Sequence, residues 1–154
     1  MTDSDAFEPR IGTVERRTSE TEMQVTVCLD GEGNAEVDTG IGFLDHMLTA
    51  LAKHGRLDLR LSVQGDLEID DHHTTEDTAL ALGQAIDKAL GARVGIRRFA
   101  HAYAPLDEAL ARVVIDFSGR PSAHVDTGFR REMIGHVATE NLTHFFHSLA
   151  TTAR

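Results

Sequence analysis

The sequence predicts an α+β fold built from two copies of one β-β-α-β-α unit, the second copy cut short. Two observations carry this. Short runs that alternate apolar and polar residues, the mark of a half-buried strand, are interspersed with stretches whose apolar residues recur at helical spacing. The pattern of the first half then returns in the second, in order and with matching turns.

Residues 1–10 (MTDSDAFEPR) read as an acidic, flexible tail, and the first copy runs over residues 11–93. Residues 23–29 (MQVTVCL) alternate and are rich in β-branched types, so they form a strand. Asp30-Gly31 is a turn signal, and residues 35–38 make a short return strand. Residues 43–54 form a helix with the apolar stripe Phe43, Leu44, Met47, Leu48 and Leu51, ended by Gly55. Residues 57–63 alternate again, and 66–69 continue as a short extended run. A helix then opens near His72, reads ALALGQAIDKAL, and stops at Gly91. Residues 94–154 form the second copy, starting at Val94.

The repeat is specific in its detail. At an offset of 88 residues, Glu20 pairs with Glu108, Val25 with Val113, Gly31 with Gly119 and Ala35 with Ala123. Val-Asp-Thr-Gly recurs at 37–40 and 125–128. Beyond it the offset becomes 98, and FLDHMLTAL at 43–51 matches NLTHFFHSL at 141–149, pairing His46 with His144. Chance similarity between two strand–turn–strand segments does not explain a shared tetrapeptide within an ordered series. Two such units fit an α+β architecture with sheets on one side and helices on the other. Continued at the same offset, the repeat would bring another helix start near position 170, so the second copy lacks its last strands and helix. That absence predicts an exposed sheet edge and an unpartnered final helix, with Phe145, Phe146 and Leu149 on the bare surface.

Composition narrows the function. Asp plus Glu number 25 against 15 Lys plus Arg, a net charge of −10, which argues against general nucleic-acid or anionic-membrane binding. A small anionic substrate remains possible where arginines cluster. The single cysteine, Cys28, forms no internal disulfide and suits a reducing compartment. The N-terminus has no apolar signal region, and no apolar run approaches the ~18 residues of a membrane span. The expected location is cytoplasmic.

The chemistry concentrates at Ile69-Asp70-Asp71-His72-His73-Thr74-Thr75-Glu76-Asp77, which packs two histidines and four carboxylates into nine residues at a helix start. Imidazole and carboxylate together ligate borderline and hard transition metals. With a helix starting near His72, His72 and Glu76 share one face, four residues apart. His73 points about 100° further round, so one helix start can feed two ions. The plain alternative is an acidic helix start with an incidental His pair, since acids favour that end. His46 alone reads as a histidine beside an apolar stripe; its repeat partner His144 raises the ligand reading for both. His54, His101, His124, His136 and His147 carry no local signal.

These residues resemble imidazoleglycerol-phosphate dehydratase, an enzyme family of histidine biosynthesis. The likeness runs from Arg10 onward through RIGTVERRTSET, GIGFLDHML at 40–48, DDHHTTEDTALALG at 70–83, VGIRRF at 94–99, PLDEAL at 105–110 and SGRP at 118–121. The resemblance implies a duplicated fold with helices on a four-stranded sheet in each half. It implies a two-manganese lyase, assembled as a 24-subunit homo-oligomer with active sites between subunits. It further implies that His72, Glu76 and His144 contribute to one Mn²⁺, and His46 and His73 to the other. The remaining ligands would come from a second His-His-x-x-Glu, and a Ser/Lys segment that helps to hold phosphate would follow it. Neither occurs in these 154 residues. His46, His72, His73 and Glu76 would also meet the substrate's imidazole. Arg98 and Arg120 match phosphate contacts, and guanidinium forks suit phosphate oxygens. Glu20 matches the acid–base glutamate that must reach a carbon-bound proton, a proton made removable when two divalent ions stabilise the charge of the ring.

Two other readings stand beside the dehydratase. One is a metal-binding remnant that keeps the fold but not the chemistry. The other is a dinuclear oxidase of the ferritin kind, which uses Glu-x-x-His on long bundled helices. Here the order is His-x-x-Glu and strands separate the helices, which disfavours it.

Overall fold

The computed structural model describes residues 8–154, so most of the 1–10 tail lies outside the described residues. Arg10, at its end, is held by Asp30: its backbone N–H and Nε donate to Asp30 Oδ2 at 2.8 and 2.9 Å. Those bonds hold the Asp30 carboxyl well below its ordinary range, at about 2.

The elements follow in the order β1 (Ile11–Arg17), β2 (Thr21–Cys28), β3 (Ala35–Asp38), α1 (Gly42–Gly55), β4 (Asp58–Gly65), α2 (His72–Leu90), β5 (Phe99–Leu106), β6 (Ala109–Asp116), β7 (Met133–Ile134), β8 (Val137–Ala138) and α3 (Thr139–Ala153). The first half forms a four-stranded sheet in the order β1-β2-β4-β3. Alternation decides its two faces. Met23, Val25 and Val27 on β2, with Leu59, Leu61 and Val63 on β4, are buried, and the residues between them face outward. The buried face packs on α2, whose Ala79, Ala81, Leu82 and Ala85 are almost completely enclosed.

Three local expectations change. Residues 35–38 do not return against β2; β3 pairs parallel with β4, placing Val37 opposite Leu61. The Asp58 carboxylate explains this. Its Oδ1 accepts from the backbone N–H groups of Glu32, Gly33 and Asn34, so the turn after β2 is tied to the start of β4. On α1 the buried column is Leu44, Leu48 and Ala52, spaced by four, while Met47 and Leu51 are 39% and 42% exposed. Residues 66–69 make a turn closed by Ile69 N–H to Asp66 O at 2.8 Å, not an extended run.

The repeat is visible in the elements. Strands β5 and β6 begin 88 residues after β1 and β2 and form the same antiparallel pair. Helix α3 takes the place of α1 at an offset near 98. The counterpart of β3, residues 123–126, is not a strand. Among the described residues no strand pairs with it as β4 pairs with β3. The β5–β6 ribbon is exposed on both faces, with Phe99, Leu106 and Val114 each at least 70% exposed. The exposed strands therefore follow the sequence expectation, but the unpartnered helix does not. Helix α3 packs along α2, burying Leu142, Phe145, Ser148 and Ala153, and of the aromatic pair only Phe146 remains exposed.

The α2–α3 crossing depends on Gly83. A Cβ there would lie 2.6 Å from Leu149 O and 2.9 Å from Ala153 N, both backbone atoms of α3. Gly83→Ala should therefore force the helices apart and lower stability by ~1–3 kcal/mol, the usual cost of overpacking. Chemical denaturation reads this directly. An unchanged midpoint would show that the crossing is loose.

Candidate active site and metal centre

The α2–α3 pair brings histidines from the two halves together. Helix α2 begins at His72, as its spacing requires, which puts Glu76 one turn along the same face. His72 Nε2 lies 3.4 Å from Glu76 Oε2, and His144 Nε2 lies 3.0 Å from Glu76 Oε1. The His72 and His144 rings stack with centroids 5.5 Å apart. One ligand atom from each of the three residues falls within 4.8 Å of the others, and all three side chains are half-buried. Two imidazole nitrogens and a carboxylate so placed can hold a divalent transition metal.

Several polar contacts fix this corner. His72 Nδ1 is 2.9 Å from Asn141 Oδ1, and Asn141 Nδ2 donates to Asp71 Oδ2 at 3.0 Å. Asp71 Oδ2 also accepts the Ala138 N–H at the start of α3. Buried Asp77, the next residue after Glu76, accepts from Arg16 Nη2 at 2.6 Å and Thr21 Oγ1 at 2.5 Å, so the second turn of α2 is pinned to β1 and β2.

His73 points elsewhere. Its Nδ1 lies 3.0 Å from Asp66 Oδ2, and that hydrogen bond raises the imidazole above its ordinary value, aided by the charges of Asp66, Glu20 and Asp70. Glu20 is exposed in the turn between β1 and β2. Ser19 Oγ donates to Glu20 Oε1 at 2.6 Å, and this bond is the main reason its carboxyl sits below the ordinary range; the charge of His73 adds to it. His73 and Glu20 are thus neighbours in charge, to one side of the His72–Glu76–His144 group. His46 is exposed on α1 and does not belong to that group.

The two arginines gather around Asp116. Arg98 donates from Nε and Nη2 to the two carboxylate oxygens at 2.7 and 2.9 Å. Arg120 contributes its charge to the same carboxyl, which the Arg98 bond holds below its ordinary range. The turn carrying Arg120 is tied to the far end of α3 through Gly119 N–H to Arg154 O at 2.9 Å. That end is ~15 Å along the helix from His144, at ~1.5 Å per residue.

Asn141 and Asp66 were not singled out by the sequence. For Asn141 there was a signal: it replaces Phe43 in the repeat, a polar side chain at a packed position, and it is only 8% exposed. Asp66 had none beyond its place near the histidines.

Known proteins share this sequence pattern and fold. A family model described as imidazoleglycerol-phosphate dehydratase matches residues 39–154. The imidazoleglycerol-phosphate dehydratase of Salinibacter ruber is 52% identical over 149 residues, 97% of this chain and 74% of the relative. That of Chlorobium luteolum is 49% identical over 151 residues, 98% of this chain and 76% of the relative. Among solved structures, the dehydratase of Staphylococcus aureus superposes with a TM-score of 0.81 at 34% identity, covering 93% of this chain and 78% of that one. The Pyrococcus furiosus enzyme, solved in complex with (S)-C348, gives a TM-score of 0.77 at 34% identity, with 92% and 74% covered. A chain matched over this span, at this identity and in this fold, belongs to the imidazoleglycerol-phosphate dehydratase family of hydro-lyases.

Proposed function

We propose that this chain converts imidazole-glycerol phosphate to imidazole-acetol phosphate in histidine biosynthesis, with Mn²⁺ held by His72, Glu76 and His144. The observation that carries the metal reading is the convergence of three donor atoms from two helices on one point. The donor set fits the ion. Imidazole and carboxylate are the ligand types that borderline divalent metals take, and three protein ligands leave positions open for substrate. His46 and His73 are proposed for a second ion, and with His72 and Glu76 would also meet the substrate's imidazole.

In the reaction a proton and a hydroxyl leave neighbouring carbons beside the imidazole ring, together as water, and the enol that remains becomes the ketone. Bound manganese would supply Lewis acidity that stabilises negative charge on the ring. Glu20 is proposed as the base for the carbon-bound proton. Its carboxyl, held below the ordinary range by Ser19, is ionised at neutral pH and ready to accept. Arg98 and Arg120 are proposed to hold the phosphate, exchanging Asp116 for phosphate oxygens. In one chain the arginine turn and the metal cluster stand near opposite ends of α3. That separation favours a homo-oligomer with sites completed between copies, with 24 subunits as the proposed assembly. No described helix is long and apolar enough to cross a membrane; a cytoplasmic location is proposed.

The second reading, metal binding without turnover, is favoured by one fact: these 154 residues contain a single His-His-x-x-Glu. Both readings predict weak binding of about one Mn²⁺ per chain, weakened further by His72→Ala, since affinity follows ligand count and geometry. Mn²⁺ titration followed by EPR measures it. Tight binding of two ions per chain would contradict the ligand count. Formation of the keto product separates the two readings.

A further inference from the structure

We propose that Asn141, clamped by Asp71, is a positioning residue that locks His72 in its Nδ1–H tautomer and so presents an unprotonated Nε2 to the metal. The proposal rests on His72 being a ligand. The bonding pattern fixes the proton without any hydrogen being seen. Asp71 Oδ2, already receiving the Ala138 N–H at 2.9 Å, only accepts. The Asn141 group 3.0 Å from it must therefore be the amide nitrogen. Its carbonyl oxygen then faces His72 Nδ1 at 2.9 Å, and an oxygen there requires that Nδ1 carry the proton.

The consequence appears on the other side of the ring. A neutral imidazole has one proton, so Nε2 holds a lone pair. Yet Nε2 lies 3.4 Å from Glu76 Oε2, which is also an acceptor. Two acceptors face each other, an arrangement that a cation between them makes favourable. Metal-bound histidines commonly donate their other N–H to an oxygen, which sets ring orientation and basicity. His73 shows the same device with a carboxylate, Asp66, on its Nδ1. His144 has no such partner on Nδ1 among the described residues. The clamp also crosses the repeat. Asp71 joins the start of α2 to the start of α3, so the residue that fixes the His72 tautomer also fixes the helix that delivers His144.

The test reads the tautomer first, in the metal-free, ¹⁵N-labelled protein above the imidazole titration range. Two-bond ¹H–¹⁵N correlations distinguish the forms, with His72 assigned by the signal lost in His72→Gln. The expected result is Nδ1–H at His72. In Asn141→Ala it should shift to Nε2–H, and Mn²⁺ affinity should fall ~10–100-fold. Alanine suits a helix, so the fold should persist. In Asp71→Asn, which removes only the obligate acceptor, the preference should weaken. His73, held by Asp66, should be unaffected throughout. An Nε2–H tautomer in the parent protein, or an unchanged tautomer in Asn141→Ala, would overturn the proposal. A chain that takes up no Mn²⁺ would instead overturn the metal reading, because the tautomer is measured without metal.

Discussion

Glu20→Gln is expected to cut turnover of imidazole-glycerol phosphate by ~10²–10⁴-fold, the usual contribution of a positioned acid–base group. The measurement belongs in a protein lengthened to complete the second repeat, so that both proposed ions are held. The substitution keeps the size of the side chain and an oxygen for the Ser19 Oγ donor, now 2.6 Å from Oε1. It removes only the basic carboxylate. Glu20 is not in the His72–Glu76–His144 group, so Mn²⁺ binding should be roughly unchanged. The carboxyl is held below its ordinary range, so its basic form persists as pH falls through that range. The acidic limb attributed to this group should therefore lie at lower pH than a free glutamate would give. Arg98→Ala and Arg120→Ala should behave differently, raising KM more than they lower kcat, because a lost charge-assisted bond is worth ~1.5–3 kcal/mol. Near-normal turnover in Glu20→Gln would remove it from the mechanism and leave the base to be found elsewhere.

The reason for expecting two behaviours lies in where the groups stand. Glu20 sits in the β1–β2 turn with its charge felt by His73, beside the start of α2. Arg98 and Arg120 share Asp116 beyond the other end of α3. One group is placed near the metal-ligand candidates, where bonds would change. The others are suited to hold the end of the substrate that does not react.

What the sequence disclosed follows from the range over which each signal acts. The start of α2 at His72 and its stop before Gly91 are local, set by spacing and a glycine in the left-handed region, and both were legible. The His72–Glu76 pairing followed from the same spacing. His144 joined them only through the repeat, which matched it to His46. Yet the structure separates those two: His144 enters the cluster and His46 does not. The repeat shares elements, not surroundings, because α3 packs on α2. The strand β3 was legible as a strand but not in its pairing, since its direction depends on Asp58, more than 20 residues away. Strand β1 was not assigned from its own residues. It occupies the sheet edge, and although its burial alternates, the buried positions include Gly12 while Ile11 is exposed, so the residue types do not display the alternation. The Asn141–Asp71 clamp joins side chains 70 apart in sequence, beyond the reach of any periodicity.

A version extended to complete the second repeat should bind two Mn²⁺ per chain and form imidazole-acetol phosphate. The first half shows what is to be completed: strand β4 lies between β2 and β3, and α2 covers the buried face of the sheet. In the second half β5 and β6 pair alone, and Phe99, Leu106 and Val114 stay at least 70% exposed. Chain added after residue 154 at the repeat offset would supply a strand beside β6, give residues 123–126 a parallel partner, and lay a helix over the ribbon. That helix would open with a second His-His-x-x-Glu near position 170 and raise the ligand supply for both ions. Relatives of this family are about a third longer than the span this chain matches, which is room for such a unit. The effect should be large on two independent readouts: ion stoichiometry by EPR rising from about one to two, and product formation appearing above background. If the extended, folded, manganese-loaded protein leaves imidazole-glycerol phosphate untouched, the proposed activity of this chain is wrong. If it turns over with one ion per chain, the second metal site is wrong while the reaction stands.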